Sequence, residues 1–537
     1  MSEMVDVYGF ADGAPAVVVH VEFPGIQSFV FRSRTLLDTI GRSRWIAQLT
    51  STQFVVSWPH GQVGRVLASG VGHFSCEITS GNAHEFVGWY TREVSEVSDA
   101  LTPVVWIDQE GADEADRVLS AAARLRQARH DMPATMAGEP AWGAVQCVVT
   151  GAFAESFDRR TGTELRAVAR EVSAADAAAR QWHRDQEVEL IPARYRDLFA
   201  LPKQMGDLGR SAGKSSKIAV VVADLNGVGA HLRQVAATAP DDVGTAMAAL
   251  TELRHRWCAR VVEMVADSIQ VVDDTPVVQG FPESLQFPLP YTGETKRWLM
   301  PVRPWIGAGD DVVLVCESRI SWSVAAEMIA WLDADAPPGD PRSILQELFG
   351  ARLSVAVGVA VVPHGVSLTR AHGIAQKVGS SAKAAAKAHS FGSRTPHGLD
   401  WHRGVIDPER IDELRTRRYP GTGRPRAWFA DNRAMGFPMF EHQWLGPGER
   451  SLRGSRWATL RSTVRRRLST AARSGTSMDE TADDAVAAVV GELNRKRALR
   501  DLPELSLPVM WAGGVLDALD LRDEHLHLTA ATWGVTS

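Results

Sequence analysis

Two adjacent aspartates, Asp310 and Asp311, stand in the short turn of "RPWIGAGDDVVLVCES" (303–318), between two apolar runs. Like charges side by side raise each other's pKa unless a cation relieves them. A further carboxylate stands upstream. In "VVADLNGVGAHL", Asp224 leaves a β-branched run, and Asn226, Gly227 and Gly229 follow before a helical pattern. A glycine-bearing strand-to-helix loop presents backbone N–H groups at a helix N-terminus, which suits phosphate. Carboxylates gathered at one point require divalent cations that accept oxygen ligands, Mg²⁺ or Mn²⁺, and such ions also bridge substrate phosphates. Two ions there would activate a ribose hydroxyl and stabilise a leaving pyrophosphate. The expected catalytic residues are therefore Asp224, Asp310 and Asp311, with Leu225 beside them in the metal-holding set. Nucleotide contacts are expected from Leu225, Asn226, Gly227, Val228, Gly229 and Gly309. Lys383 and Lys387, one turn apart in "AKAAAKA", are placed to reach a triphosphate.

Each of these features alone has an ordinary explanation. Gly-Asp-Asp occurs in many hairpin turns, Asp224 could cap a helix, and single lysines are commonly solvated. The ordered set points to a nucleotide site: a strand ending in Asp, a helix, a hairpin with two acids, a strand, and a helix carrying Lys.

The elements that must position these residues can be read from periodicity. "PAVVVHVEF" (15–23) predicts a buried strand, and the stretch to Thr50 a loop and a helix. "TQFVVSW", "PHGQ" and "VGRVLAS" predict a hairpin over 52–69. "HEFVGWYTREVSEVSDAL" predicts a helix, "TPVVWI" a strand, and "DEADRVLSAAARLRQARH" a helix with acids first and bases last, which suits the macrodipole. Residues 155–200 read as helical and 201–217 as a Gly/Ser/Lys-rich linker. The plan then restarts. There is a strand at 218–223, a helix over 245–266 and a Pro-rich irregular insert over 268–300. After these come a hairpin around the two acids, a helix at 325–335, a strand at 353–362 and a helix at 367–390. The order β-α-β-β-α-β-α thus occurs twice, a split βαβ or ferredoxin-like plan. In it the end of the first strand lies beside the hairpin turn, so Asp224 would face Asp310 and Asp311.

Bulk properties set the bounds. The chain of 537 residues is long for one core and suggests roughly three or four domains. A net charge of −6 excludes a wholesale nucleic-acid-binding surface. The four cysteines, Cys76, Cys147, Cys258 and Cys316, are widely spaced with no CxxC pair. That argues against zinc and a disulfide framework and suits a reducing, cytoplasmic setting. No leader pattern opens the chain and no run of 18 apolar residues occurs, so no membrane span is expected.

"IAVVVADLNGVGAHL", "WIGAGDDVVLVCES", "LSVAVGVAVV" and "AHGIAQKVGSSAKAAAKA" resemble the second palm of the large polymerase/cyclase subunit of type III CRISPR effectors, a family related to GGDEF and adenylyl cyclases. The family's Gly-Gly-Asp-Asp reads here Ala308-Gly309-Asp310-Asp311, with both acids kept. The family's Ala-Lys ending of the last helix is matched by Ala382 and Lys383. "VEFPGIQSFVFRSRTLLDTIGRSRWIAQLT" is similar to the first palm, through Gly25, Ile26, Gln27, Phe29, Gly41 and Ser43. Its hairpin "SWPHGQVG" has no acid pair, so the resemblance implies a non-catalytic palm whose Gly25 and Gln27 help hold an acceptor nucleotide. The implied fold is α+β: a degenerate first palm (1–145), a helical linker with a degenerate zinc ribbon (146–214), a catalytic palm (215–405) and a helical C-terminal domain (406–537). In "CVVTGAFA" Thr150 replaces the ribbon's second cysteine, and no HD nuclease pattern is present, so two Mg²⁺ or Mn²⁺ ions but no zinc are expected. The family makes cyclic oligoadenylates from ATP in RNA-guided antiviral complexes. The resemblance therefore implies an NTP substrate, ATP first, a cyclic oligonucleotide messenger, and RNA or CRISPR-type subunits as partners.

Two further patterns carry less. "GRSAGKS" (209–215) lacks a residue between its glycines and precedes a strand, so it is not a P-loop. Eight arginines between 450 and 473 suit either RNA phosphates or a solvated helix face. A non-catalytic palm scaffold or nucleotide sensor within an RNA-guided complex is the alternative from another functional class.

Overall fold

The computed structural model describes residues 15–31, 36–61, 63–70, 72–98, 101–108, 124–125, 127–128, 145–147, 154, 156–158, 166–208, 217–239, 242–293, 296–305, 311–388, 390, 395–418, 428–430, 491, 495 and 525–528. The helix expected over 113–130 and the arginine-rich stretch lie almost wholly outside these.

The N-terminal half builds a four-stranded sheet from β1 (Ala16–Glu22), β2 (Val63–Gly70), β3 (His73–Thr79) and β4 (Val104–Ile107), in the order β2-β3-β1-β4. Every pairing is antiparallel. Helix α1 (Leu36–Leu49) links β1 to β2, and α2 (Ala83–Val97) links β3 to β4. This is the strand order of a split βαβ unit.

The expected hairpin over 52–69 is replaced by another. Thr52–Val56 is a short helix. The Ser51 hydroxyl accepts the Phe54 N–H at 3.2 Å, and Phe54 stacks on Trp89 with 5.4 Å between ring centroids. A cap and an aromatic partner thus outweigh the β propensity of the two valines. The real hairpin joins β2 to β3. "HFSCEIT" buries Phe74, Cys76 and Ile78 in strict alternation, and Gly72 at φ +90° supplies the turn.

Helix α3 (Arg170–Leu190) ties this half to the next. Strands 156–158 and 166–168 pair just before it, so the stretch from 155 is not helical throughout. At its start Glu171 pairs with the fully buried Arg42 of α1 at 3.2 Å and accepts the Ser98 hydroxyl at 2.7 Å. A Cβ on Gly41 would lie 2.1 Å from the Ala175 carbonyl, so glycine is what allows α1 and α3 to touch. Toward its end, Gln186 and His183 accept the guanidinium of buried Arg303 at 2.7 and 2.8 Å. Burial, reinforced by Arg303, pulls the His183 imidazole down to about 3 and keeps it a neutral acceptor.

The second sheet has six strands: β5 (Lys217–Leu225), β6 (Val302–Trp305), β7 (Asp311–Glu317), β8 (Val355–Pro363), β9 (His397–Arg403) and β10 (Trp428–Ala430). Their order is β6-β7-β5-β8-β9-β10. The first four are antiparallel in the same split order, and β9 adds in parallel to β8. Helices α4 (Val228–Thr238) and α5 (Asp242–Asp267) link β5 to the hairpin strands. Helices α6 (Ser321–Asp333) and α7 (Pro341–Phe349) link β7 to β8, and α8 (Leu368–Ala388) follows β8.

The central strands are apolar on both faces, as strands covered on both sides must be. Ala219, Val221, Ala223 and Leu225 face α5 and α6, packing with Leu253, Trp257 and Val261. Ile218, Val220 and Val222 face the other way, toward α8 and the first half, with Ile374, Val378 and Trp305. Trp257 is wholly buried and donates its indole N–H to the Met328 carbonyl at 2.9 Å.

The insert at 268–300 is more regular than its prolines suggest. Strands 269–272, 275–278 and 287–288 form one small sheet. Arg297–Leu299 pairs with 291–292 and 199–200, so the strand is interrupted at Met300–Pro301 before the acid-bearing hairpin begins. The C-terminal stretch, expected to be helical, also contributes strands. β10 extends the large sheet, and His527–Leu528 pairs with Gly280–Phe281, burying Leu526 and Leu528 in the core under α6. No helix among the described residues is long and apolar enough to cross a membrane. All four cysteines are buried thiols.

Candidate active site

The register of β5 fixes where its last carboxylate goes. Alternation puts Asp224 on the face of Val220 and Val222, toward α8. Directly across the antiparallel ladder stands Asp311, the first residue of β7, and on the other side Ala356 of β8. Asp311 shares the face of Val313 and Val315, so both carboxylates leave the sheet on one side, as facing pairs on neighbouring strands do.

Helix α8 covers that side at unusually short range. A Cβ on Gly358 of β8 would lie 2.1 Å from the Ala375 carbonyl and 2.5 Å from the Gly379 nitrogen. Ala356 packs against Ala382. These small residues lower the last turns of α8 onto the sheet. Lys383 there ion-pairs with Asp224 Oδ2, and its Nζ lies 3.5 Å from the Leu225 carbonyl oxygen. Both side chains are about a third exposed, so the pair opens to solvent at the sheet end (27% and 30%).

The loop after Asp224 is pinned from the other direction. The Asn226 backbone N–H donates to the Ser354 carbonyl at 2.8 Å, and its side-chain amide donates to the Ser354 hydroxyl at 3.0 Å. The Asn226 Oδ1 is buried and has no hydrogen-bond partner. Gly227 caps α4 in the left-handed region at φ 79°, which only glycine adopts without strain. Its carbonyl accepts the N–H groups of Ala230 and His231 at 2.9 and 3.0 Å. The N–H groups of Val228 and Gly229 belong to the first turn, where no intrahelical acceptor exists. His231 stacks on Phe349 of α7 at 4.9 Å and 12°, and burial lowers its pKa, which keeps a second charge away from the loop.

The structure therefore brings together Asp224, Leu225, Asn226, Gly227, Val228, Gly229, Asp311 and Lys383 at one end of the large sheet. Gly309 and Asp310 lie outside the described residues. Lys387 is exposed one turn beyond Lys383. Gly25 and Gln27 sit in the first half, both exposed, at the head of the short helix Ile26–Val30, which Gly25 caps at φ 68°. That segment meets the second half through Phe31. Its ring packs on Trp305 at 4.7 Å and on His372 at 4.1 Å, and its carbonyl accepts the Thr369 hydroxyl at 3.0 Å.

The donors suit a hard divalent cation. The Asp224 carboxylate and Leu225 carbonyl are oxygen ligands already gathered round one positive charge, the Lys383 ammonium, with Asp311 alongside. Among the described residues there is no group of three or more His, Cys, Asp or Glu that could hold a metal, and the remaining acid, Asp310, is not among them. Cys147 is buried, and Thr150 lies outside the described residues.

Sequence reading missed Ser354, Gly358 and Gly379. Gly358 did carry a signal, because a glycine inside the β-branched run "SVAVGVAVV" marks a close backbone approach. Ser354 carried none.

No protein-family model matches the chain, and no curated protein matches it. Among solved structures, the chain is similar to a Csm1–Csm4 cassette in complex with cA4, at 13% identity and a TM-score of 0.49. It is also similar to Csm1 of T. onnurineus, at 13% identity and a TM-score of 0.48, and to a Csm1–Csm4 cassette in complex with one ATP, at 14% and 0.48. Each likeness covers 95% of this chain and 70% of the other.

Proposed function

We propose that the chain is a metal-dependent nucleotidyltransferase with two palm units, the second catalytic. It would join the 3′ hydroxyl of one NTP, ATP first, to the 5′ α-phosphate of another and close the product into a cyclic oligonucleotide for antiviral defence. The observation that carries this reading is the direct pairing of Asp224 with Asp311 on neighbouring strands, facing α8, beside a glycine-capped helix start.

Asp224, Leu225, Asp310 and Asp311 would hold two Mg²⁺ or Mn²⁺ ions. When bound, these ions supply Lewis-acid activation of the attacking hydroxyl and charge neutralisation at the pyrophosphate. The chain's own residues do the rest. The Val228 and Gly229 N–H groups receive phosphate oxygens at the head of α4. Asn226 and Ser354 keep that loop in register with β8, so the phosphates stay in line with the carboxylates. Lys383 and Lys387 counter the triphosphate charge. Gly25 and Gln27 of the first palm hold the acceptor nucleotide, and the packing of Phe31 on Trp305 carries that segment to the strand leading into the acid hairpin. CRISPR-type subunits and RNA are the proposed partners, on the motif resemblance.

The test is incubation of purified protein with each NTP and Mn²⁺ or Mg²⁺, with products identified by mass spectrometry, beside the double variant Asp310→Ala/Asp311→Ala. Cyclic or linear oligonucleotides are expected from the unaltered protein alone. Equal product from both proteins would refute catalysis at this site. NTP binding by both, with turnover by neither even when RNA and partner subunits are supplied, would favour the sensor reading instead.

A further inference from the structure

The Lys383 ammonium is held by two groups at once, the Asp224 carboxylate and, at 3.5 Å, the Leu225 carbonyl. These are the donors that β5 would offer a divalent cation. We propose that Lys383 and the metal exchange at Asp224: the arriving cation displaces the ammonium, and the ammonium swings onto the triphosphate that accompanies it. This inference rests on the reading of residues 224–311 as a metal–nucleotide site.

Charge and geometry both lead there. A carboxylate oxygen and the neighbouring carbonyl can share one cation, and an ammonium left beside a dication would be repelled. The triphosphate offers the displaced charge a new partner, so no charge is left uncompensated. The backbone of α8 is fixed during the exchange, because Gly358 and Gly379 already touch and Ala356 packs on Ala382. The motion therefore belongs to the lysine side chain. Its compact charge on a flexible four-carbon stem suits a change of partner, where a planar guanidinium would favour staying bidentate on Asp224. The partial exposure of both groups leaves room for the swing (27% and 30%). Lys387, exposed one turn on, makes no such contact among the described residues and is free of this role. The lysine thus discourages metal binding without nucleotide and favours the two together.

The test uses the full chain and two probes, MnCl₂ alone and Mn²⁺ with inorganic tripolyphosphate, which needs no knowledge of the base. Binding is read by electron paramagnetic resonance of free Mn²⁺ and by calorimetry. For Lys383→Met, Mn²⁺ alone is expected to bind ~3- to 5-fold more tightly, the scale of a partly exposed ion pair. Mn²⁺–tripolyphosphate is expected to bind more weakly by a similar factor. Opposite signs are the signature, since a lysine that merely supported the fold would weaken both when removed. Lys383→Gln, smaller and polar, is expected to repeat the pattern if the Met variant folds poorly. Unchanged or weaker Mn²⁺ binding in both variants would overturn the exchange. Asp224→Asn separates the two levels of inference. If it abolishes Mn²⁺ binding while the Lys383 variants leave it unchanged, the site stands and the exchange fails. If it leaves Mn²⁺ binding intact, the site reading itself fails.

Discussion

Gly358→Ala tests whether the approach of α8 to the sheet is what sets the site. The added Cβ would meet the Ala375 carbonyl at 2.1 Å, the Gly379 nitrogen at 2.5 Å and the Gly379 Cα at 2.8 Å, all backbone atoms that cannot rotate away. Ordinary contact begins near 3.4 Å, so α8 must lift by roughly 1 Å or β8 must bend. Overpacking of this kind costs ~1–3 kcal/mol. Lys383 lies on the same helix, one turn past Gly379, so the lift is delivered to its contact with Asp224. A 1 Å misplacement costs catalysis on the order of 100-fold. The control is Gly41→Ala in the first half, where a Cβ would lie 2.1 Å from the Ala175 carbonyl, an equal clash far along the chain from Asp224. Both variants should lose similar stability in urea titrations. Only Gly358→Ala should change Mn²⁺ affinity in the absence of nucleotide. Equal Mn²⁺ affinity in the two variants, with the stability loss confirmed for each, would refute the idea that the α8–β8 contact positions the site.

Two more predictions follow from buried groups. Burial holds His183 and His372 down to about 3, with Arg303 adding to the effect on His183, while the unfolded chain takes up protons near pH 6.5. The stability associated with neutral imidazoles is therefore fully present above about pH 6.5 and declines as pH falls toward 3, by at most ~1.4 kcal/mol per pH unit for each histidine. Urea midpoints should fall between pH 6 and 5, and His372→Phe, which keeps a ring against Phe31, should make that fall shallower; an unaltered slope would exclude His372 as a source. Burial also raises the thiol pKa of Cys76, Cys258 and Cys316, Cys258 to about 12, so these thiols should resist an aromatic disulfide reagent at pH 8 until denaturant is added. Rapid labelling of any of them in the native protein would contradict the packing.

The candidate site was legible where chemistry and period agree. Asp224 closes a β-branched run that is plain in the sequence, and Asp311 begins another, so their pairing follows from the split plan. Lys383 was legible as a charge on the last helix, but its attachment to Asp224 depends on how low α8 sits, and that depends on Gly358 and Gly379, which lie far apart in sequence. The strand at His73–Thr79 was missed, although its alternation is regular, because the valines at 55–56 offered a more conspicuous β-branched pair; a serine cap and Trp89 decided that segment instead. Tertiary context also claimed Leu526 and Leu528, whose burial under α6 no local pattern announces.

The two halves share more than strand order. In the first, β1 ends at Glu22, and Gly25 follows three residues later in the left-handed region as a helix cap. In the second, Asp224 is followed three residues later by Gly227 in the same conformation and the same role. Across the ladder Glu22 faces His73 as Asp224 faces Asp311. The shared strand order thus presents two matched positions, and they are filled differently. One strand end keeps a carboxylate opposite an imidazole, which is a borderline donor for a hard cation, while the other places two carboxylates face to face. Under the proposed function, paired oxygen ligands face each other at this position in the second half, where the first half sets a carboxylate opposite an imidazole. The difference lies in single side chains at matched register positions, and the four-strand order that carries them is the same.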